Sequence, residues 1–233
     1  MLPTSTTLLL LRHGQSEWNA VRRWQGSTDT PLTTLGRRQA RAAGALLSDL
    51  DLEFCGPWAS DLSRASATAS EIASVLGLDP PIADRRLREA SAGEWEGLTP
   101  DQIEARYPGW LEARRRPASF EPFEQVVARS IASVREIAGW ACVAGAVPLI
   151  VTHSGVIRSL VRHVGGTDER IANLGGVWLT VETPGSVTEY SLDGTDRFDR
   201  VDPLDCRGIS VGDHFDPSGI VVSGVDAPGE DPR

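Results

Sequence analysis

Short apolar runs alternate along the chain with longer stretches of mixed polarity. The first run places four leucines together at residues 8–11, followed at once by a polar turn. An unbroken apolar run is typical of a strand buried on both faces of a parallel sheet. The stretch PLIVTH at 148–153 has the same character. These two runs predict the central strands of the fold.

Segments with helical spacing follow these and weaker strands. A helix is predicted from Thr33 onward, capped by Thr33 or Thr34. Its inner side is expected to contain Leu35, Ala42, Leu46 and Leu47. Further helices are predicted over 62–76 (ending at Gly77), near 100–115, over about 123–143 and from Val156.

The remaining extended segments complete the predicted sheet. They are 53–60, a short piece at 82–87, and three short strands at 178–183, 187–192 and 197–202, with turns at Pro184-Gly185 and Asp193-Gly194. Strands that alternate with helices indicate an α/β fold. We therefore expect a doubly wound, mostly parallel sheet flanked by helices, with a small helical lid excursion.

Length and composition indicate one main domain with an appendage. A chain of 233 residues with 40% hydrophobic content can bury one α/β core and is short for two. We assign the domain to residues 1–203, with 93–124 as a lid rich in tryptophan, proline and charge. Residues 204–233 are expected to be an acidic Gly/Pro-rich tail of low order or lying on the surface.

The charged residues narrow the chemistry. The net charge of -9 is concentrated in residues 193–233, where ten acidic residues and four arginines give -6, so a nucleic-acid partner is not indicated. All 23 basic residues are arginine. This excludes a Walker-type phosphate loop and a lysine Schiff base. If phosphate is bound, guanidinium groups bind it.

The spacing of the cysteines and the first residues of the chain indicate the cellular compartment and whether metal or disulfide sites are expected. Cys55, Cys142 and Cys206 are far apart and odd in number, so neither a disulfide framework nor a zinc site is indicated, and no metal is expected. The first residues have no basic leader and too short an apolar run for a signal peptide or membrane span. We expect a cytoplasmic protein without a membrane partner, and the sequence leaves a homodimer open.

Both predicted central strands end in a histidine. The first continues into Arg12-His13-Gly14 and the second into Thr152-His153-Ser154. Ligands of open parallel sheets lie beyond the carboxyl ends of the strands. A lone histidine at such a position is more often structural, but the paired placement favours a shared site.

Two other reaction classes match the sequence less well. Residues 152–156 imitate a nucleophile elbow around Ser154, but Thr152 and Val156 stand where the sharp turn needs small residues. Asp49 and Asp51 have the spacing of an aspartate-based phosphatase, but they follow a predicted helix instead of a strand.

Five segments in order give the sequence a family resemblance. They are RHGQSEWN (12–19), QGSTDTPLTTLGRRQA (25–40), ASDLSRASATA (59–69), LREASAGEWEGLT (87–99) and VTHSGVIRSL (151–160). Together they resemble the histidine phosphatase superfamily, also called phosphoglycerate mutase-like, over residues 7 to about 192. The resemblance implies a phosphomonoester hydrolase that works without a metal or cofactor.

The resemblance also implies roles for individual residues. His13 would attack phosphorus and become a phosphohistidine, while Arg12, Arg64, His153 and Asn19 would surround the phosphoryl oxygens. Positive charge aimed at those oxygens is what phosphoryl transfer requires. Nearby cations favour the neutral form of His13. A partner for its second ring nitrogen is expected near residues 14–16.

Glu89 is implied as the general acid and, in the second step, the general base. Burial or the charge of the incoming phosphate would favour its protonated form. The alternative is a surface ion pair with Arg88 or Arg86. Further phosphate contacts would come from Ser16, Gln25, Gly26 and Ser154. For the first three, a role as turn residues is nearly as well supported.

Departures from the family pattern bear on the substrate. EPFEQ at 121–125 stands where a Gly-Gly-Glu-Ser segment is common, and only 63 residues separate Glu89 from His153. The missing insertion favours hydrolysis over a mutase reaction, which stays the alternative beside a catalytically silent binding protein. The lid could shape a pocket for an anionic or sugar-like leaving group, or simply pack a small subdomain. Its aromatic residues and arginines are Trp95, Tyr107, Trp110, Phe120, Arg114, Arg115 and Arg116. The expected partner is a small phosphosugar or phosphoglycerate derivative.

Overall fold

The computed structural model describes residues 4–144, 146–183 and 209–215, which form one mixed sheet with helices on both faces. The helices are α1 (Glu17–Ala20), α2 (Thr34–Ser48), α3 (Ser63–Leu76), α4 (Pro100–Arg106), α5 (Phe123–Ala144) and α6 (Ser154–His163). The strands are β1 (Thr4–Arg12), β2 (Phe54–Ala59), β3 (Ile82–Ala83), β4 (Val147–Thr152), β5 (Gly176–Thr183) and β6 (Ile209–Phe215). The predicted fold class is confirmed.

The sheet brings the two predicted central strands side by side. Its order is β3-β2-β4-β1-β5-β6, with β1 to β4 parallel to one another, β5 antiparallel to β1, and β6 antiparallel to β5. In the β1–β4 pair, Arg12 is opposite Thr152. The residues that follow these strands therefore emerge together at the carboxyl edge of the sheet.

The leucine run of β1 divides between two cores. Leu8 and Leu10 pack on one face against α5 and α6, while Leu9 and Leu11 pack on the other against α2 and α3. Successive strand residues point to opposite faces, so an uninterrupted apolar run is what a doubly covered strand requires. Helices thus cover both faces of β1 and hold the position of its carboxyl end.

Helix α2 begins where predicted but turns a different side inward. The Thr33 side chain accepts a hydrogen bond from the Gly36 amide and caps the helix. The buried residues of α2 are Gly36, Ala40, Ala43, Gly44 and Leu47. Of the predicted inner residues only Leu47 is fully buried, and Leu35, Ala42 and Leu46 are half-buried. Small residues are buried because α2 packs closely on α3, where a Cβ on Gly44 would meet Val75 at 2.9 Å.

The helix predicted near 100–115 is shorter than expected. Helix α4 begins with a capping box between Thr99 and Gln102 and ends at Arg106. Pro108 disfavours helical backbone at Tyr107, and Gly109 has a left-handed φ of 73°. Turns continue from there to Arg114, so the helical part of the lid is the short α4 and a 3₁₀ turn at Gly93–Trp95.

The helices over 62–76, 123–143 and from Val156 are confirmed as α3, α5 and α6, with small shifts at the ends. Gly77 closes α3 with a left-handed φ of 68°. The piece at 82–87 is the two-residue strand β3 followed by a 3₁₀ turn at Arg85–Leu87. Within the described ranges, no helix has both the length and the apolar content to cross a bilayer.

The C-terminal region adds a strand that the sequence analysis assigned to a tail. Strand β6 pairs with β5, with Ile209 opposite Val181 and Phe215 opposite Gly176. The alternation of Ile209, Val211 and polar residues is the signal that could have identified it. The strand predicted at 178–183 is confirmed within β5. Those at 187–192 and 197–202, and the rest of the tail, lie outside the described residues.

Candidate active site

His13 and His153 face each other at the carboxyl edge of the central strands. Their ring centroids are 5.1 Å apart with planes inclined at 63°, and both residues are buried. The His13 amide donates a hydrogen bond to the Thr152 carbonyl at 3.0 Å, which extends the β1–β4 ladder by one residue. Pairing of the two strands thus sets the separation of the two rings.

A backbone carbonyl fixes the tautomer of His13. Its Nδ1 lies 2.6 Å from the Gly14 carbonyl oxygen, which can only accept a hydrogen bond. Nδ1 therefore bears a proton, and in the neutral ring the lone pair is on Nε2. Asn173 holds the same segment from outside, because its Nδ2 donates to the His13 carbonyl at 2.9 Å.

Two buried arginines are anchored on elements that contact the His13 segment. Arg12 ends β1, and its Nη1 donates to the Ile171 carbonyl at 2.8 Å. Arg64, in the first turn of α3, donates from Nη1 to the Thr28 carbonyl and from Nη2 to the Gly26 carbonyl, both at 2.8 Å. Thr68 ties α3 to the histidine segment by accepting from the Gly14 amide at 3.0 Å. Both guanidinium groups are thus held by backbone oxygens.

The loop between β1 and α2 contributes two buried amides. Gln25 Oε1 accepts hydrogen bonds from the Ser16 and Thr30 hydroxyls, at 2.8 and 2.7 Å. Among the described residues, neither Gln25 Nε2 nor Asn19 Nδ2 has a hydrogen-bond partner. Because Ser16 gives its single hydroxyl proton to Gln25, it has none to offer a phosphate oxygen. Asn19 and Gln25 therefore have side-chain N–H groups that no described residue engages.

Glu96, which the sequence analysis missed, connects this loop to the segment after Glu89. Its carboxylate accepts hydrogen bonds from the Ser27 amide and hydroxyl and from the Ala92 amide. Thr28 also donates its hydroxyl to Glu96. Gly26, with a left-handed φ of 53°, lies against this carboxylate, since a Cβ there would approach Glu96 Oε1 to 2.3 Å. A glycine is therefore required where Arg64 binds the loop.

Glu89 is a buried carboxyl at the same site, with 3% of its surface exposed. Oε1 accepts from its neighbour's amide, Ala90 N, at 2.9 Å, and Oε2 accepts from Gly155 N at 3.1 Å. The adjacent arginines bind other carboxylates. Arg88 forms a two-point pair with Asp61, and this hydrogen bonding holds the pKa of Asp61 below its usual value. Arg86 pairs with Asp84 and Glu136, and the burial of Glu89 argues against the expected alternative of a surface pair.

Arg129 of α5 braces the segment that leads into Glu89. Its Nη1 donates to the carbonyls of Arg86 and Arg88 at 2.7 and 2.6 Å. Its Nε and Nη2 bind the carboxylate of Glu121 at 2.8 and 3.0 Å. Glu121 in turn accepts from the Ser91 amide at 3.1 Å. Arg129 and Glu121, neither of which the sequence analysis selected, therefore hold the chain on both sides of Glu89.

The alternative reaction classes find no support in the geometry. Ser154 is the buried first residue of α6, directly after His153 in a smooth strand-to-helix connection. Asp49 and Asp51 are exposed before the start of β2, at the amino edge of the sheet, opposite the histidines. The described residues therefore form neither a nucleophile elbow around Ser154 nor an aspartate pair at the carboxyl edge of the sheet.

The lid has a small core of its own. Trp24, Ala92, Trp95, Leu98 and Ile103 are buried together, with Tyr107, Trp110, Leu111 and Phe120 packed against them. The Arg116 guanidinium lies 5.0 Å from the Trp24 ring, 5.1 Å from Trp95 and 5.4 Å from Phe120. The aromatic residues thus pack a subdomain, as one of the two interpretations predicted, and they also fix the position of Arg116.

A cavity of about 890 Å³ opens between the lid and α6, and we call it the outer pocket. Its inner end is formed by Gly26, Glu89 and Gly155. The lid wall includes Arg114, Arg116 and Phe120, and the opposite wall includes Arg158 and Arg162 of α6. A volume of this size accommodates a ligand much larger than a phosphate group. Among the candidate site residues, Glu89 and Gly26 line this cavity, while His13, His153, Arg12 and Arg64 are not part of its lining.

A family model confirms the resemblance. The model of the histidine phosphatase superfamily (branch 1) matches residues 8–195. The chain belongs to this superfamily. The predicted enzyme class, a phosphatase of the histidine phosphatase superfamily, is also supported by relatives and is confirmed.

Individual relatives of this superfamily bear two kinds of name. A glucosyl-3-phosphoglycerate phosphatase of Mycolicibacterium vanbaalenii is 37% identical over 163 residues, which cover 66% of this chain and 71% of that protein. A 2,3-bisphosphoglycerate-dependent phosphoglycerate mutase of a Methylobacterium species is 36% identical over 203 residues, or 82% of this chain and 97% of that protein. The solved structure of a mycobacterial glucosyl-3-phosphoglycerate phosphatase with VO3 has a TM-score of 0.65 and 33% identity, covering 75% of this chain and 92% of that one.

Proposed function

We propose that this histidine phosphatase hydrolyses a small phosphomonoester, such as a phosphosugar or phosphoglycerate derivative, through a phosphohistidine on His13. The observation that supports it most is the paired placement of His13 and His153, with His13 Nδ1 bound to a backbone carbonyl. In that tautomer Nε2 has the lone pair that attacks phosphorus. The buried guanidinium groups of Arg12 and Arg64 would stabilise the charge that develops on the phosphoryl oxygens.

The first step forms a bond between His13 Nε2 and phosphorus and breaks the bond to the leaving oxygen. Glu89, at the inner end of the outer pocket, would give its proton to that oxygen as it departs. In the second step Glu89 takes a proton from the attacking water, the bond to His13 breaks, and inorganic phosphate leaves. His153, Asn19 and Gln25 would donate hydrogen bonds to the phosphoryl group, with Gly26 and Ser154 lining its surroundings.

The proposal includes turnover without a metal or cofactor, in the cytoplasm. Arginines and histidine supply the positive charge that phosphoryl transfer needs. The free thiol of Cys55 fits a reducing compartment. A mutase is the second candidate, since the Methylobacterium relative is named as one and matches over 97% of its length.

Labelling during turnover tests the proposal. With a ³²P-labelled phosphomonoester, we expect acid-labile label on the protein and release of inorganic phosphate in the presence of EDTA. His13→Ala should abolish the label and lower turnover by at least about a thousandfold, because it removes the nucleophile. His163→Gln, a histidine at the far end of α6, is the matched control and should retain both.

Each other outcome points to a different function. Release of an isomerised phosphoester in place of phosphate indicates the mutase. Binding without label or turnover indicates a silent protein, and activity only with added magnesium contradicts the mechanism.

A further inference from the structure

We propose that Asn173, in the turn before β5, is a positioning residue for phosphoryl transfer. It holds the side-chain amide of Asn19 with its N–H₂ end toward the phosphoryl group and ties that amide to the backbone of His13. The inference rests on the proposed function, in which Asn19 donates to the phosphoryl group, and deepens it. Asn173 itself does not touch the substrate.

Asn173 uses both protons of its side-chain amide on the site. Its Nδ2 lies 2.9 Å from the His13 carbonyl oxygen and 3.4 Å from Asn19 Oδ1. Both oxygens can only accept hydrogen bonds, so the nitrogen of Asn173 must face them. One amide group therefore joins the backbone of the proposed nucleophile to the side chain of Asn19.

The side-chain oxygen of Asn19 is fully engaged by the protein. Besides the contact with Asn173, it accepts a hydrogen bond from the Ser16 amide at 3.2 Å. Two donors occupy both lone pairs of this oxygen. A flipped Asn19 would set its N–H₂ group against the N–H groups of Ser16 and Asn173. The amide of Asn19 is thus restricted to one orientation.

That orientation leaves the donor end of Asn19 without a protein partner. Asn19 is 2% exposed, and its Nδ2 has no hydrogen-bond partner among the described residues. A buried donor that stays unpaired costs free energy, and a native structure retains such a group when it has a function. A phosphoryl oxygen supplies the acceptor that this N–H₂ group lacks.

The turn around Asn173 is held against the end of β1. The Ala172 carbonyl accepts from the Gly175 amide at 2.9 Å, and the Leu174 amide donates to the Arg12 carbonyl at 3.1 Å. Leu174 has a left-handed φ of 60°, a conformation that costs a non-glycine residue energy and is frequent at functional sites. Its side chain is buried in the core beside α2 and α3, which offsets that cost. Asn173 is therefore carried by a firmly placed segment.

The chain has only two asparagines, so their side chains can be observed selectively. Protein labelled with ¹⁵N at asparagine alone gives two side-chain N–H₂ signals in NMR spectra, and Asn19→Ala assigns them. We expect inorganic phosphate to shift the Asn19 signal and, with the same concentration dependence, the Asn173 signal. The second shift is expected because an amide that donates to an anion becomes a stronger acceptor at its oxygen. An Asn173 signal that stays in place while phosphate binds would overturn the inference.

Competition by inorganic phosphate against hydrolysis of p-nitrophenyl phosphate measures the size of the effect. Asn19→Ala should weaken phosphate binding by about tenfold or more, because a donor to an anion is lost. Asn173→Ala should weaken it by about threefold to tenfold, since Asn19 can then flip. The double variant should bind phosphate no more than about twofold more weakly than Asn19→Ala alone, because Asn173 acts through Asn19. Effects that multiply in the double variant would contradict this.

Thr6→Val is the matched control. Thr6 of β1 likewise donates from its side chain to a backbone carbonyl, that of Ala138 at 3.2 Å, but at the amino end of the strand. The variant loses the same kind of hydrogen bond, and we expect its phosphate constant to equal that of the unaltered protein. Equal weakening in Thr6→Val and Asn173→Ala would assign the effect to general stability and overturn the positioning role.

The proposed function fails separately. If p-nitrophenyl phosphate is not hydrolysed, NMR titration gives the phosphate constants of the same variants. A coupled shift of the two asparagine signals would then support the inference without the phosphatase reaction. If Asn173→Ala does not fold, that coupled shift in the unaltered protein still decides the inference.

Discussion

At the scale of single residues, backbone groups do much of the positioning in this site. The Gly14 carbonyl selects the tautomer of His13, and amides of Ala90 and Gly155 hold both oxygens of Glu89. Backbone groups are preorganised by the fold and lose little freedom when a substrate binds. The side chains of His13 and Glu89 are therefore oriented by the fold itself.

Gly155→Ala tests this arrangement at its closest contact. A Cβ at position 155 would approach Glu89 Oε1 to 2.2 Å, so the carboxyl must move away. We expect kcat to fall by about tenfold to a hundredfold, a loss typical of a displaced general acid. The midpoint of thermal unfolding should also fall, because the displaced carboxyl is buried and loses hydrogen bonds from the Ala90 and Gly155 amides, so kcat is measured well below that midpoint. An unchanged kcat would show that Glu89 is not the proton donor.

The candidate site residues at strand ends could be predicted from the sequence. The residues that hold the surrounding loops by hydrogen bonds could not. Arg12, His13 and His153 follow from apolar runs that end at one edge of a sheet. Glu96 and Arg129 act through hydrogen bonds between segments far apart in sequence. Which donor meets which carbonyl depends on how loops pack, and no periodicity in the chain encodes that.

At the scale of elements, α5 and α6 do more than cover the sheet. Helix α6 begins directly after His153, contacts Glu89 through Gly155 and lines the outer pocket with Arg158 and Arg162. Helix α5 contributes Arg129, which braces the segment before Glu89. These two helices thus connect His153, Glu89 and the outer pocket.

Arg129→Met tests the contribution of α5. Loss of the bonds to two carbonyls and to Glu121 should lower the free energy of unfolding by about 2–4 kcal/mol. It should also lower kcat more than it raises KM, because the position of Glu89 is affected and not the phosphate donors. Arg37→Met, which removes an exposed pair with Glu71, is the control and should cost less than about 1 kcal/mol. Urea unfolding measures the change in stability, and steady-state kinetics measure kcat and KM. A rise in KM with kcat unchanged would argue against this positioning role.

The element boundaries show where sequence patterns suffice. Capped, periodic helices such as α2 and α3 were found within about two residues. The side of α2 that faces inward was misjudged, because close packing on α3 selects glycine and alanine over leucine. Helix α4 is shorter than predicted, because Pro108 disfavours helical backbone at Tyr107.

At the scale of the whole molecule, carboxylates bound to arginines connect its elements. Burial alone would raise the pKa of Asp84, but hydrogen bonds from Arg86 and Ser133 hold it below its usual value. Ser133 belongs to α5, so Asp84 joins the β3 edge of the sheet to that helix. A lowered pKa in the folded state means that ionised Asp84 stabilises the fold.

Asp84→Asn tests the pH dependence that follows. The stabilisation is fully present above the unfolded-state value near 3.8 and is lost as pH falls through the lower folded-state value. At neutral pH we expect the variant to be less stable by about 1–3 kcal/mol, with the difference shrinking as pH falls below about 4. Denaturant unfolding across this range measures it, with the exposed Asp51→Asn as control. A difference that does not vary with pH would assign the effect to packing.

The lid core of Trp24, Trp95 and their neighbours also bears on how such enzymes diverge. His13 and His153 follow strands of the sheet, while one wall of the outer pocket belongs to the lid, whose aromatic residues pack together with Trp24 of the loop between β1 and α2. Replacing the lid with a different segment should change the substrate preference. The proposed attack of His13 on phosphorus should stay the same. Natural variation in preferred metabolite, and directed evolution toward a new one, should therefore concentrate in residues 93–124.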